Sequence, residues 1–208
     1  MSSDRETYNL IITGIGGQGN VLASQLLGQA MVGKGYLVTI GETYGASQRG
    51  GPVMSHIRIS SGEQPSPLIP RGKADIVLGL EPVEALRVLT TYGHPQTVVI
   101  ANTRPIYPVE VTAGNEKYPS LEEIKKALTV LSQKVYFIEA TDKAVEMGSA
   151  ILGNMIIIGA LLELQLLPLR SEEFRETLAK NFGAQKLETN LRALAEGAEI
   201  MRNFPERQ

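Results

Sequence analysis

The sequence predicts an α/β fold, a three-layer α/β/α arrangement with a mostly parallel, Rossmann-like sheet and a helical C-terminal segment. Three observations predict it. Short β-branched runs alternate with stretches of helical period, two glycine-rich loops each follow such a run, and everything from Thr141 onward carries helical patterning. With 208 residues and 43% hydrophobic content, the chain is long enough for one well-buried α/β domain, expected over residues 1–208.

Tyr8 to Thr13 is an apolar run that ends in the first loop, Gly14-Ile15-Gly16-Gly17-Gln18-Gly19. Asn20 to Lys34 then places Leu22, Leu26 and Ala30 beside Ala23 and Leu27 on a helical stripe, so the segment reads as strand, tight turn, helix. Tyr36 to Glu42 is a second strand, followed by the loop Tyr44-Gly45-Ala46-Ser47-Gln48-Arg49-Gly50-Gly51. Val53, Ser55, Ile57 and Ile59 alternate with Met54, His56, Arg58 and Ser60, which predicts an edge or antiparallel strand with one polar face. On that face His56 is expected to meet solvent or a partner.

Ser61 to Lys73 is rich in proline and glycine and predicts an exposed loop. Ala74 to Leu80 is a buried strand, Pro82 to Tyr92 a helix opened by proline, and Thr97 to Asn102 another strand. Thr103 to Pro119 reads as an excursion with short extended pieces such as Val109-Glu110-Val111-Thr112. Ser120-Leu121-Glu122-Glu123 fits a capping box that opens a helix through Leu131, and Lys134 to Ala140 is the last strand. Ile151 to Leu167 is too short to cross a bilayer and reads as a buried helix, and Ser171 before two glutamates signals an N-cap. The final helix, from about Gln185 to Phe204, aligns Leu187, Leu191, Leu194, Ala198 and Met201, for packing onto the sheet or for a partner helix.

Composition narrows the function. A net charge of -2 offers no basic footprint for nucleic acid. The chain has no cysteine, which excludes disulfides, thiolate catalysis and any iron–sulfur cluster ligated by this chain. The polar start, Met1 to Glu6, lacks the apolar core of a secretory signal, so a cytoplasmic location with no membrane association is expected. Gly-x-Ser-x-Gly, Gly-x-x-x-x-Gly-Lys-Ser/Thr and His-Glu-x-x-His patterns do not occur, and neither catalytic nor metal-ligating residues are assigned.

Gly14, Gly16 and Gly19 satisfy a dinucleotide fingerprint, with Glu42 where a ribose-binding acid falls. That pattern fits a free-standing NAD-dependent oxidoreductase, or simply a tight turn that needs glycine. Gly17, Gln18, Ser47, Arg49, Gly50 and Gly51 add backbone N–H groups, an amide, a hydroxyl and a guanidinium, which together suit an anion. Arg49 could instead pair with Glu42 inside the fold. Asn154, a polar side chain in an apolar run, is expected to bond to a loop backbone or to point at a ligand or subunit interface, while Gly153 and Gly159 let that helix lie close to a neighbour.

The first loop, Glu42 to Gly51, Ser55-His56-Ile57-Arg58, Ala74-Asp75-Ile76-Val77 and Asn154-Met155, taken in order, resemble the gamma-type subunit of 2-oxoacid:ferredoxin oxidoreductases, in particular the indolepyruvate (arylpyruvate) branch. The resemblance implies oxidative decarboxylation of a 2-oxoacid to an acyl-CoA. It implies thiamine diphosphate, magnesium and iron–sulfur clusters on a large partner subunit that passes electrons to ferredoxin, with no covalent cofactor here. This chain would complete the active-site region and help bind CoA, through Gly14, Gly16, Gly17, Gln18, Gly19, Ser47, Arg49, Gly50 and Gly51. The isolated chain would be inactive and free to self-associate. A third possibility is a non-catalytic assembly subunit whose glycine loops only shape a protein interface.

Overall fold

The computed structural model describes residues 6–45 and 51–205. Within them, β1 (Thr7–Ile15), β2 (Leu37–Tyr44), β3 (Pro52–Ser60), β4 (Ile76–Gly79), β5 (Val98–Asn102) and β6 (Lys134–Ile138) form one sheet in the order β2-β3-β1-β4-β5-β6. Strands β1, β4, β5 and β6 are parallel, and β3 runs antiparallel to both β1 and β2. Two antiparallel steps restore direction, so β2 points the same way as β1 with one strand between them.

The sheet divides the core by the two-residue period of its strands. Leu10 and Ile12 of β1 face one hydrophobic cluster, and Ile11 faces the other. The first cluster is covered by α1 (Asn20–Gly33), α5 (Ala140–Glu146), α6 (Gly153–Glu163), α7 (Ser171–Asn181) and α8 (Ala184–Arg202). The second lies under α2 (Pro82–Tyr92) and α4 (Leu121–Leu131), which gives the expected three layers. Helix α6 is buried on all sides up to Leu162, as its uninterrupted apolar sequence requires.

The local stop and start signals act as read. Ser120 Oγ accepts from Glu123 N at 3.2 Å while Glu123 accepts from Ser120 N at 2.8 Å, closing the capping box of α4. These bonds from Ser120 hold the Glu123 carboxyl below its usual range. Proline 82 opens α2, whose first turn is capped by the Glu81 side chain accepting from Glu84 N at 2.9 Å.

Several expectations are corrected. Strand β3 is antiparallel but interior, because β2 pairs along its outer side and forms the edge. Its second face is not solvated: the 61–73 segment folds back across it, Ile69 is 2% exposed and His56 is fully buried. Val109 to Thr112 is not extended but a helical turn, α3 (Val109–Thr112). Ser171 is the first helical residue of α7, not its cap; Glu173 reaches back instead to Arg170 N at 2.7 Å. The apolar stripe of α8 packs chiefly on α6, and Phe204 beyond the helix end meets the Tyr136 ring of β6 edge-on with centroids 5.2 Å apart.

Candidate anion-binding site

The C-terminal ends of β1, β2 and β4 bring the glycine loops together. Gly16 N donates to Gly51 O at 2.9 Å, and Gly45 N donates to Pro52 O at 2.8 Å, so the ends of the second loop are tied beside the first. Gly51 is buried at this contact. Ser47, Arg49 and Gly50 lie outside the described residues. The point between β1 and β4, where the chain's winding direction reverses, is the usual ligand crevice of such sheets.

The loop residues divide into those that build the turn and those that face outward. Gln18 turns inward: its Oε1 accepts from Ile15 N at 2.7 Å and its Nε2 donates to Leu80 O at 2.8 Å. The amide thereby bridges the crevice from the first loop to the end of β4. A side chain at Gly14 would put Cβ 2.5 Å from Gln18 Oε1 and 2.9 Å from Leu80 Cβ, so glycine there makes room for this bridge. Gly19 has φ +82° and stands where a Cβ would lie 2.3 Å from Asn154 Nδ2. Asn154 donates to Gly19 O at 3.4 Å, the loop-backbone bond expected of it. Gly17 is the outward residue, with open space around its Cβ position.

Helix α1 starts at this turn without a side-chain cap. Its first residue, Asn20, donates through Nδ2 to Val53 O at 3.1 Å and is 3% exposed, while its Oδ1 finds no partner among the described residues. On the other wall of the crevice Asn102 Nδ2 donates to Leu80 O at 3.0 Å and to Thr141 Oγ1 at 2.8 Å, and Asn102 Oδ1 accepts from Thr141 N at 3.1 Å. Sequence reading missed Asn102, whose signal is a polar residue ending an otherwise buried strand.

Glu42 serves the interior. Its two oxygens accept from Ser24 Oγ at 2.8 Å and Ser55 Oγ at 2.6 Å, both serines being fully buried. The inserted β3 also carries Glu42 two strand spacings from β1, about 9–10 Å, where a dinucleotide fold has its acid on the neighbouring strand. Both observations speak against a ribose role. Glu42→Ala is expected to cost about 1–2 kcal/mol in urea unfolding, because the buried Ser55 hydroxyl loses its acceptor and Ser24 is left with Val21 O alone; an unchanged midpoint would show that those bonds carry nothing.

The chain belongs to the pyruvate ferredoxin/flavodoxin oxidoreductase family, whose sequence profile matches residues 9–200. It is similar to the indolepyruvate oxidoreductase subunit IorB of Pyrococcus horikoshii, with 39% identity over 198 residues that cover 95% of this chain and 97% of the relative. The IorB subunit of Archaeoglobus fulgidus is 38% identical over 189 residues, covering 91% of this chain and 92% of its own. This chain is thus an IorB-like subunit of a 2-oxoacid:ferredoxin oxidoreductase.

Solved structures share the fold. Pyruvate oxidoreductase subunit PORC of Thermotoga maritima superposes with a TM-score of 0.67 at 22% identity, over 94% of this chain and 97% of that one. The 2-oxoglutarate:ferredoxin oxidoreductase of Magnetococcus marinus, solved with 2-oxoglutarate, coenzyme A and succinyl-CoA, gives 0.73 at 23% identity over 99% of this chain but 32% of that longer one. Among the described residues no helix is long and apolar enough to cross a membrane.

Proposed function

We propose that this chain, acting as one α/β domain over residues 1–208, is the small cytoplasmic subunit of an arylpyruvate:ferredoxin oxidoreductase and holds the phosphate end of CoA at its paired glycine loops. The observation that carries the reading is the bond from Gly16 N to Gly51 O, which joins the two loops at one rim. The Magnetococcus enzyme with CoA bound supports the ligand class, and the IorB relatives support the arylpyruvate class.

The residues present fit a CoA-like anion at two points. Gly17 leaves its backbone open to close approach, and the α1 start has no side-chain cap, so its first N–H groups are free of one. Arg49 adds a guanidinium fork able to grip phosphate oxygens in pairs. The remaining candidates, Gly14, Gln18 and Gly19, shape the turn, while Ser47, Gly50 and Gly51 complete the second loop. When bound, CoA supplies the thiol that accepts the acyl group, and this chain's task is to orient its charged end. Thiamine diphosphate, magnesium and the iron–sulfur clusters belong to the large partner, from which ferredoxin takes electrons.

In the assembled complex Arg49→Ala is expected to raise the KM for CoA about tenfold or more and to leave the KM for the 2-oxoacid unchanged, the size of one lost charge-assisted contact. An unaltered KM for CoA would overturn the assignment. Purified alone, the chain is expected to turn over no 2-oxoacid.

A further inference from the structure

His56, singled out in the sequence and unused by the proposed ligand site, is fully buried where the 61–73 segment crosses β2 and β3. Its Nδ1 accepts from Ile69 N at 3.3 Å, so Nδ1 carries no proton and the neutral ring keeps its proton on Nε2. Nε2 has no hydrogen-bond partner among the described residues, and the ring stands at 81° to Tyr92 with centroids 5.0 Å apart. Beside this contact the segment presses directly on β2. A Cβ at Gly41, opposite His56 in register, would lie 2.7 Å from Pro67 O.

We propose that His56 is a proton-operated latch: the neutral imidazole fastens the Ile69 end of the 61–73 segment, and proton uptake at Nδ1 frees that end, while Thr39 Oγ1 donating to Pro65 O at 2.8 Å and Arg58 donating to Ser66 Oγ at 2.7 Å keep the earlier part on β2 and β3. Protonation turns the ring nitrogen that accepts from Ile69 N–H into a second donor, so the bond cannot survive it. It also places a charge in an apolar layer, which is why burial holds this histidine below the usual imidazole range. Among the described residues no carboxylate bonds to the ring. From β1 the opposite residue is Ile11, from β2 it is Gly41, and α2 presents the Tyr92 ring. On β3 the charged neighbour is Arg58, itself a cation, bonded to Asn9 at 3.0 Å and to Ser66. Asp75, a carboxylate, is held by Asn9 N at 2.8 Å, two residues along β1 from Ile11.

The sign follows from linkage. With the closed-state value depressed, the open state takes up the proton first; closure is complete above the ordinary imidazole range and is lost as pH falls through the lowered value. Release would loosen the stretch around Ile69 where it lies over His56 of β3. The latch stands whether or not that loop binds CoA.

The test is amide exchange of the full chain near neutrality and at about pH 5, corrected for intrinsic rates, alongside the NMR titration of the His56 ring. Protection at Ile69 and its neighbours is expected to fall about tenfold with the same midpoint as the ring, and to stay level in His56→Gln, whose amide oxygen can still accept from Ile69. Equal loss in both chains, or loss only on global unfolding, would overturn the latch. Should the variant not fold, the wild-type midpoints decide alone: coincidence supports the proposal and separation refutes it.

Discussion

Gly197→Ala is expected to destabilise the chain by about 3 kcal/mol or more, despite gaining about 1 kcal/mol in helix propensity. A Cβ at Gly197 of α8 would lie 1.9 Å from Ile156 O of α6, and one at Gly159 of α6 would lie 2.0 Å from Leu194 O of α8. The contact is reciprocal and falls on backbone atoms, so no side-chain rotation relieves it. The helices must separate, and the interface they share holds Ile156, Ala160, Leu194 and the apolar side chains around them. At about 2–4 °C per kcal/mol for a chain of this size, the melting temperature should fall by about 10 °C. Gly159→Ala should match it, whereas Gly183→Ala, which meets open space at an ordinary φ of -68°, should change little. Equal behaviour of Gly183→Ala and Gly197→Ala would refute the close-packed pair.

Glu81→Ala should cost about 3 kcal/mol and free the 103–119 excursion. The Glu81 carboxylate is 1% exposed at the end of β4 and accepts three bonds, from Glu84 N at 2.9 Å, from Ile106 N at 3.2 Å and from the Tyr118 hydroxyl. Removing it orphans all three donors at once, each worth about 1 kcal/mol or more when left unpaired. Burial, together with the bond to Glu81, pushes the Tyr118 hydroxyl well above the usual phenol range, so it stays a donor throughout the working pH range. Burial likewise raises Glu84, partly offset by Arg87. Glu81→Gln keeps one acceptor oxygen and should lose less, about 1–2 kcal/mol. Urea unfolding gives the magnitude, and exchange at residues 103–119 gives the location; unchanged exchange there in Glu81→Ala would show that the excursion is held by something else.

Much of this was readable in the residues, and the missed parts share a cause. The strands, the capping box at Ser120, the buried helix α6 and the Asn154 bond to Gly19 O follow from short-range period, propensity and the need to pair buried amides. The polar face of β3 was misread because alternation marks which residues share a face, not what covers that face. Here a loop with prolines does so, and His56 is buried by Ile69 and Tyr92. Glu81 was invisible for the same reason: its partners Ile106 and Tyr118 are 25 and 37 residues away.

The sequence by itself determined the six strands and the longer helices, though not the helical turn Val109–Thr112, and that two side-chain-poor loops close the first two β-runs, since each depends on neighbours a few residues apart. Tertiary structure alone decided that β3 enters between β1 and β2, that Gln18 spans to Leu80 across 62 residues, and that Glu42 is claimed by Ser24 and Ser55. A polar side chain is satisfied by whichever donor or acceptor the chain brings near it. That pairing is set by long-range strand order, which no local pattern encodes.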